Sequence, residues 1–134
     1  MSAPESNFSA WVAKAEHDLL NIENNLAATD IPWDTVCFHA QQAAEKLFKA
    51  LLAHRGREVS RTHDLVALLA RCAEDDRRLA SLEADCHRLT SFGIASRDPD
   101  DLFEPTEGDA REMVAVAQRI RAAILSRLPT IDTR

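Results

Sequence analysis

Apolar residues recur along this chain at the three- and four-residue spacings of amphipathic helices, and no run of Val, Ile or Thr alternates as a strand would. A first helix reads from Phe8 to Ala27, with Trp11, Ala15, Leu19, Ile22 and Leu26 on one seam. Asp30-Ile31-Pro32 marks the start of a second helix over 32–54. Proline is accepted in a first turn because its missing N–H has no helical partner there. This helix ends near Gly56. Val36, Ala40, Ala43, Leu47, Ala50 and Leu51 share one wide arc of it, which Ala44, Phe48 and Leu52 extend. A helix apolar over most of its circumference belongs at the centre of a bundle. Gln42, Glu45, Lys46 and Lys49 form a separate polar stripe, either its exposed strip or the wall of a polar site.

Thr62 reads as the N-cap of a third helix that buries Leu65, Leu68, Leu69 and Cys72. Asp75-Asp76 suit the positive end of a fourth, whose seam is Leu79, Leu82, Cys86 and Leu89. The pattern breaks over 91–104, where Gly93, Pro99 and Pro105 fall in or beside the segment. Thr106-x-x-Asp109 resembles a capping box with Asp in place of Glu. A fifth helix then runs to about Leu128, burying Met113, Val116, Ala117, Ile120 and Ile124. The expectation is an all-α fold, a single up-and-down bundle of about five helices over 8–128 with a C-terminal tail over 129–134.

Composition agrees, with three glycines and no tyrosine. No apolar run reaches the roughly 18 residues of a membrane span. The N-terminus lacks a basic segment followed by an apolar one, so no signal peptide is expected. The three cysteines, Cys37, Cys72 and Cys86, fall inside predicted helices and read as buried free thiols in a reducing cytoplasm. The net charge of -6 is localised. Segment 98–112 holds seven acids and one base, which leaves the remainder formally balanced. Within that remainder, 46–63 carries Lys46, Lys49, Arg55, Arg57 and Arg61 against Glu58 alone, so a local basic surface is compatible with an acidic chain.

Several motifs coincide in order: Trp11-x3-Ala15-x2-Asp18-Leu19; Phe38-His39-Ala40-Gln41-Gln42-Ala43-Ala44-Glu45-Lys46-x2-Lys49-Ala50-Leu51-Leu52; Thr62-His63-Asp64-Leu65; and Ser96-Arg97-x-Pro99. With the closing Ala-rich helix, this order resembles the HEPN family, the helical domains of prokaryotic nucleotidyltransferase-linked systems. The resemblance implies a bundle that dimerises and is paired with a minimal nucleotidyltransferase, often as a toxin–antitoxin system. Many members are metal-independent ribonucleases that use an Arg followed, after four to six residues, by a His. The resemblance places Arg97 in the role of that Arg. In the Arg-Tyr-Pro-like motif that the resemblance implies here, Asp98 replaces the tyrosine and no histidine follows, which argues against nuclease activity.

RNA cleavage without a metal needs a base, an acid and a cation. Arg97 can supply the cation, and His63 is the candidate base. Arg57-x5-His63 fits the spacing literally but sits between the second and third helices, where coincidence explains it. His63 otherwise ties down a turn, and His39 reads as a packing histidine. Glu45 and Lys49 are either a surface ion pair or, with Gln42, Lys46 and Arg97, the lining of a ligand pocket. Gln41 projects on the apolar side and reads as a tie to another helix or loop. No metal site and no cofactor are expected. The leading expectation is a non-catalytic, cytoplasmic binding module. Its partners would be a second copy, a nucleotidyltransferase and a nucleotide or RNA. The alternatives are a ribonuclease toxin and a purely structural interaction protein.

Overall fold

The computed structural model describes residues 6–95 and 104–130. Five α-helices follow one another: α1 (Ser6–Leu26), α2 (Trp33–His54), α3 (Leu65–Ala73), α4 (Glu83–Ala95) and α5 (Glu107–Leu125). A short 3-10 helix, Arg77–Leu82, joins α3 to α4. There is no strand among the described residues, and no described helix is long and apolar enough to cross a membrane.

Helix α2 is the central element, packed against α1, α3, α4 and α5. Val36, Cys37, Ala40, Ala43, Ala44, Leu47, Phe48, Leu51 and Leu52 are fully buried along it. Pro32 stands at its N-cap, one residue outside the first turn where the sequence placed it, and its carbonyl accepts the Val36 N–H. The C-terminus closes as a Schellman motif: the Gly56 N–H donates to Ala53 O and the Arg57 N–H to Leu52 O. Gly56 takes a φ of 70°, the left-handed conformation this motif needs and that a β-carbon disfavours.

Four further local expectations change. Asp64 caps α3 instead of Thr62: its Oδ1 accepts from the Val66 and Ala67 N–H groups at 3.0 and 3.2 Å. The Thr62 hydroxyl is occupied one step earlier, accepting from the Asp64 N–H. The expected fourth helix is two elements. Leu79 and Leu82 lie in the 3-10 helix, which Asp76 caps through the Arg78 N–H, while Cys86 and Leu89 lie in α4. The Ser81 hydroxyl donates to Arg78 O, a local bond that competes with a regular α-turn. Helix α4 also continues to Ala95, beyond the break expected at Ser91. The capping box of α5 forms as read, with Thr106 Oγ1 accepting from the Asp109 N–H and Asp109 Oδ2 from the Thr106 N–H. That helix stops at Leu125, not Leu128, because the Arg127 and Leu128 N–H groups turn to i−3 carbonyls.

The fold thus depends on the wide apolar arc of α2. Leu47 is fully buried there, and Leu47→Asp sets an unpaired charge among aliphatic neighbours. The expected loss is on the order of 4 kcal/mol or more, a large share of a domain's stability. Thermal or urea unfolding measures it, and a wild-type melting curve would contradict the central placement of α2.

Candidate functional site

At 100° per residue, Gln41, Glu45, Lys49, Gln42, Lys46 and His39 fall in that angular order and form one polar arc, with Leu52, Phe38 and Ala53 interleaved among them. The arc is not the solvent-facing strip of α2. Glu45 is only 3% exposed, Lys49 5% and Gln41 2%, so the surface-ion-pair expectation for Glu45 and Lys49 does not hold. Helix α1 covers part of the arc and brings a carboxylate of its own, Asp18, also buried.

Two anchored clusters result. In the first, Asp18 is the acceptor: its Oδ1 lies 2.8 Å from His39 Nδ1, and its Oδ2 accepts from Lys46 Nζ at 2.6 Å. His39 is therefore a satisfied packing histidine, as its sequence suggested. In the second, Glu45 is the acceptor. Its Oε2 takes Lys49 Nζ at 3.1 Å and lies 2.9 Å from His63 Nδ1. Lys49 also sits over the Trp11 ring of α1, 5.5 Å from its centroid, and exposed Lys14 lies 5.7 Å from the same ring. Glu45 Oε1 is buried without a hydrogen-bond partner. An unsatisfied buried acceptor is expensive, about 1–3 kcal/mol and more for a charged group.

The structure therefore brings Glu45, Lys49 and His63 together, and commits Lys46 to Asp18. Gln42 Nε2 donates to Gln41 Oε1 at 3.0 Å, so Gln41 is tied to its helical neighbour and not, through that oxygen, to another element. His63 does not begin α3. It precedes the cap residue, in the loop after α2, where its ring can reach back to Glu45. Arg97 lies outside the described residues. Arg57 is held by Glu74 and Asp75 at 2.6 and 2.7 Å, and the Glu74 hydrogen bond, first of several causes, raises its pKa further. Arg57 of the spacing Arg57-x5-His63 is thus engaged by two carboxylates. Asp18 and the buried partnership of His63 are what sequence reasoning missed: the pairings span 28 and 18 residues, and no local spacing encodes them.

The thiols offer no competing chemistry. Burial pushes Cys37 up to about 11 and Cys72 and Cys86 up to about 12, so all three stay protonated near neutral pH. No cluster of three or more His, Cys, Asp or Glu residues that could hold a metal exists among the described residues.

Comparison with known proteins agrees with the geometry. The family profile described as "HEPN domain" matches residues 8–128. The chain is similar to the crystal structure of TT1696 from Thermus thermophilus, with 30% identity and a TM-score of 0.80. That similarity covers 91% of this chain and 98% of the other. No curated protein matches.

The paired burial of Glu45 and Lys49 makes a direct prediction. Glu45→Ala strands the Lys49 ammonium in the α1–α2 seam, and removing one partner of a buried pair costs about 3–5 kcal/mol. Glu107→Ala, which breaks the exposed pair with Arg111, should cost well under about 1 kcal/mol. Urea unfolding of the two variants checks the contrast, and equal small losses would contradict the buried placement of the pair.

Proposed function

Because the chain belongs to the HEPN family, we propose that it is a helical binding module that self-associates, pairs with a minimal nucleotidyltransferase and binds nucleotide or RNA without cutting it. The observation that carries this reading is the polar arc of α2. Asp18, Glu45 and Lys49 are ionisable groups withdrawn into the α1–α2 seam, and one oxygen of Glu45 has no partner. Stability alone does not favour that arrangement, since apolar side chains of similar volume pack a seam at least as well. Exposed Lys14 lies beside Trp11 at the seam, and exposed Arg61 precedes His63 by two residues in the chain. Cations beside an aromatic face suit a ligand with phosphates and flat bases. The resemblance adds Arg97 to this set.

The reading is not catalytic because arginine stays protonated and cannot act as the base. A second reading, the metal-independent ribonuclease of a toxin–antitoxin pair, gains one specific observation: the ring of His63 is held by a buried carboxylate, as a general base would be. In this reading His63 stands in for the histidine that does not follow Arg97.

One experiment separates the two. Fluorescence anisotropy with a single-stranded RNA, in chelator, should show affinity falling as salt rises. Lys14→Ala and Arg97→Ala should each weaken binding several-fold, and Arg78→Ala, on the 3-10 helix, should not. Equal effects of the three would remove the site. The RNA should stay intact. Cleavage that disappears in both Arg97→Ala and His63→Ala would put the ribonuclease reading first.

A further inference from the structure

His63 differs from the other four histidines of the chain. Its side chain is 78% exposed, yet its Nδ1 is fixed 2.9 Å from Oε2 of a carboxylate that is itself buried. That oxygen also accepts from the Lys49 ammonium, so Glu45 acts as a carboxylate and Nδ1 must be the donor. In the neutral ring the lone pair then belongs to Nε2, and with Nδ1 turned to the protein, Nε2 faces solvent. His39 has the same Nδ1–carboxylate contact through Asp18, but only 19% of its side chain is exposed. His54 packs edge-on against Phe8 with a buried Nδ1. His87 is exposed, but there Nε2 is the nitrogen that lies 3.7 Å from a carboxylate, Glu83, itself on the surface. His17 is exposed and has no carboxylate contact among the described residues.

We propose that His63 is a phosphoryl-acceptor site, taking a phosphoryl group on Nε2 from a small donor of the phosphoramidate or acyl-phosphate class. The Nε2 lone pair attacks phosphorus, and the bond from phosphorus to the leaving nitrogen or oxygen breaks, with its electron pair leaving on that atom. With phosphoramidate the leaving nitrogen already carries its third proton, so ammonia departs. The ring becomes an N-phosphorylated imidazolium that keeps its Nδ1 proton. Glu45 faces that developing positive charge from a low-dielectric position, where a fixed anion acts most strongly. Lys49, on the same carboxylate oxygen, holds Glu45 in place on the Nδ1 side of the ring, away from the solvent face from which the donor approaches. Glu45 is the positioning residue, because it acts through the ring.

The test uses the full chain and potassium phosphoramidate at neutral pH, with sites mapped under non-acidic conditions that preserve phosphohistidine. In the folded protein His63 should be modified several-fold faster than His17 or His87. His63→Gln should remove the fast phase. Glu45→Gln keeps the side-chain shape and should bring His63 to the rate of His17, with circular dichroism reporting that the fold is retained. In concentrated urea the histidines of wild type should react alike, which keeps the test decisive if Glu45→Gln unfolds. Reaction of His63 no faster than His17 in the folded protein would overturn the proposal, as would a preference that survives in Glu45→Gln or in urea. No polynucleotide enters the experiment, so its outcome is independent of whether RNA binds.

Discussion

Glu45 accepts a bond from Lys49 one turn along its own helix and another from His63 in the loop that follows, inside a seam closed by α1. That carboxylate constrains three parts of the molecule at once. It fixes Lys49 against the Trp11 ring of α1, sets the ring orientation of His63, and thereby restrains the loop leading to the Asp64 cap of α3. Asp18 does the complementary task from α1, binding His39 and Lys46 two turns apart on α2. The register between the two helices is therefore written in directional bonds as well as in packing. Sliding α1 by one turn would strand Asp18 and disturb both clusters.

Stability comes from elsewhere on the same helix. Leu47, Phe48, Leu51 and Leu52 have no exposed surface, and each contributes roughly 1.5–3 kcal/mol on burial. The ionisable groups of the seam contribute little net, because desolvation offsets most of their attraction. A bundle that needed only to fold would be better served by apolar residues there. The two arcs thus contribute differently: the apolar arc holds the five helices together, and the polar arc fixes α1 and the loop that carries His63 through directional bonds.

This division explains which features the sequence revealed. Hydrophobic periodicity is a local property, and it located α2, its central position and the seams of α1 and α5. The capping box at Thr106 and Asp109 is equally local and formed as read. Asp64 caps α3 in place of Thr62, because the chain offers two oxygen-bearing side chains there and the Thr62 hydroxyl is taken up by the Asp64 N–H. Gly93 suggested a helix end that α4 passes through, since an isolated glycine costs only about 1 kcal/mol in a helix. The polar stripe was legible as a stripe. Its burial was not, because that depends on α1 lying across it. The Asp18–Lys46 and Glu45–His63 pairs are tertiary in origin, and the nature of each partner follows only once the helices are packed.

If the polar seam serves a ligand, its ions are dispensable for stability although they help set the register of α1 on α2. Replacing the pair by apolar residues of similar volume, Glu45→Leu with Lys49→Met, separates binding from stability most directly. Melting temperature and RNA affinity are measured on the same preparation. The expected result is a melting temperature equal to or above that of wild type together with affinity reduced about tenfold or more, because the fold gains packing while the site loses its fixed charges and the orientation of His63. Unchanged affinity with unchanged or raised stability would contradict the claim and leave the seam without a role in binding.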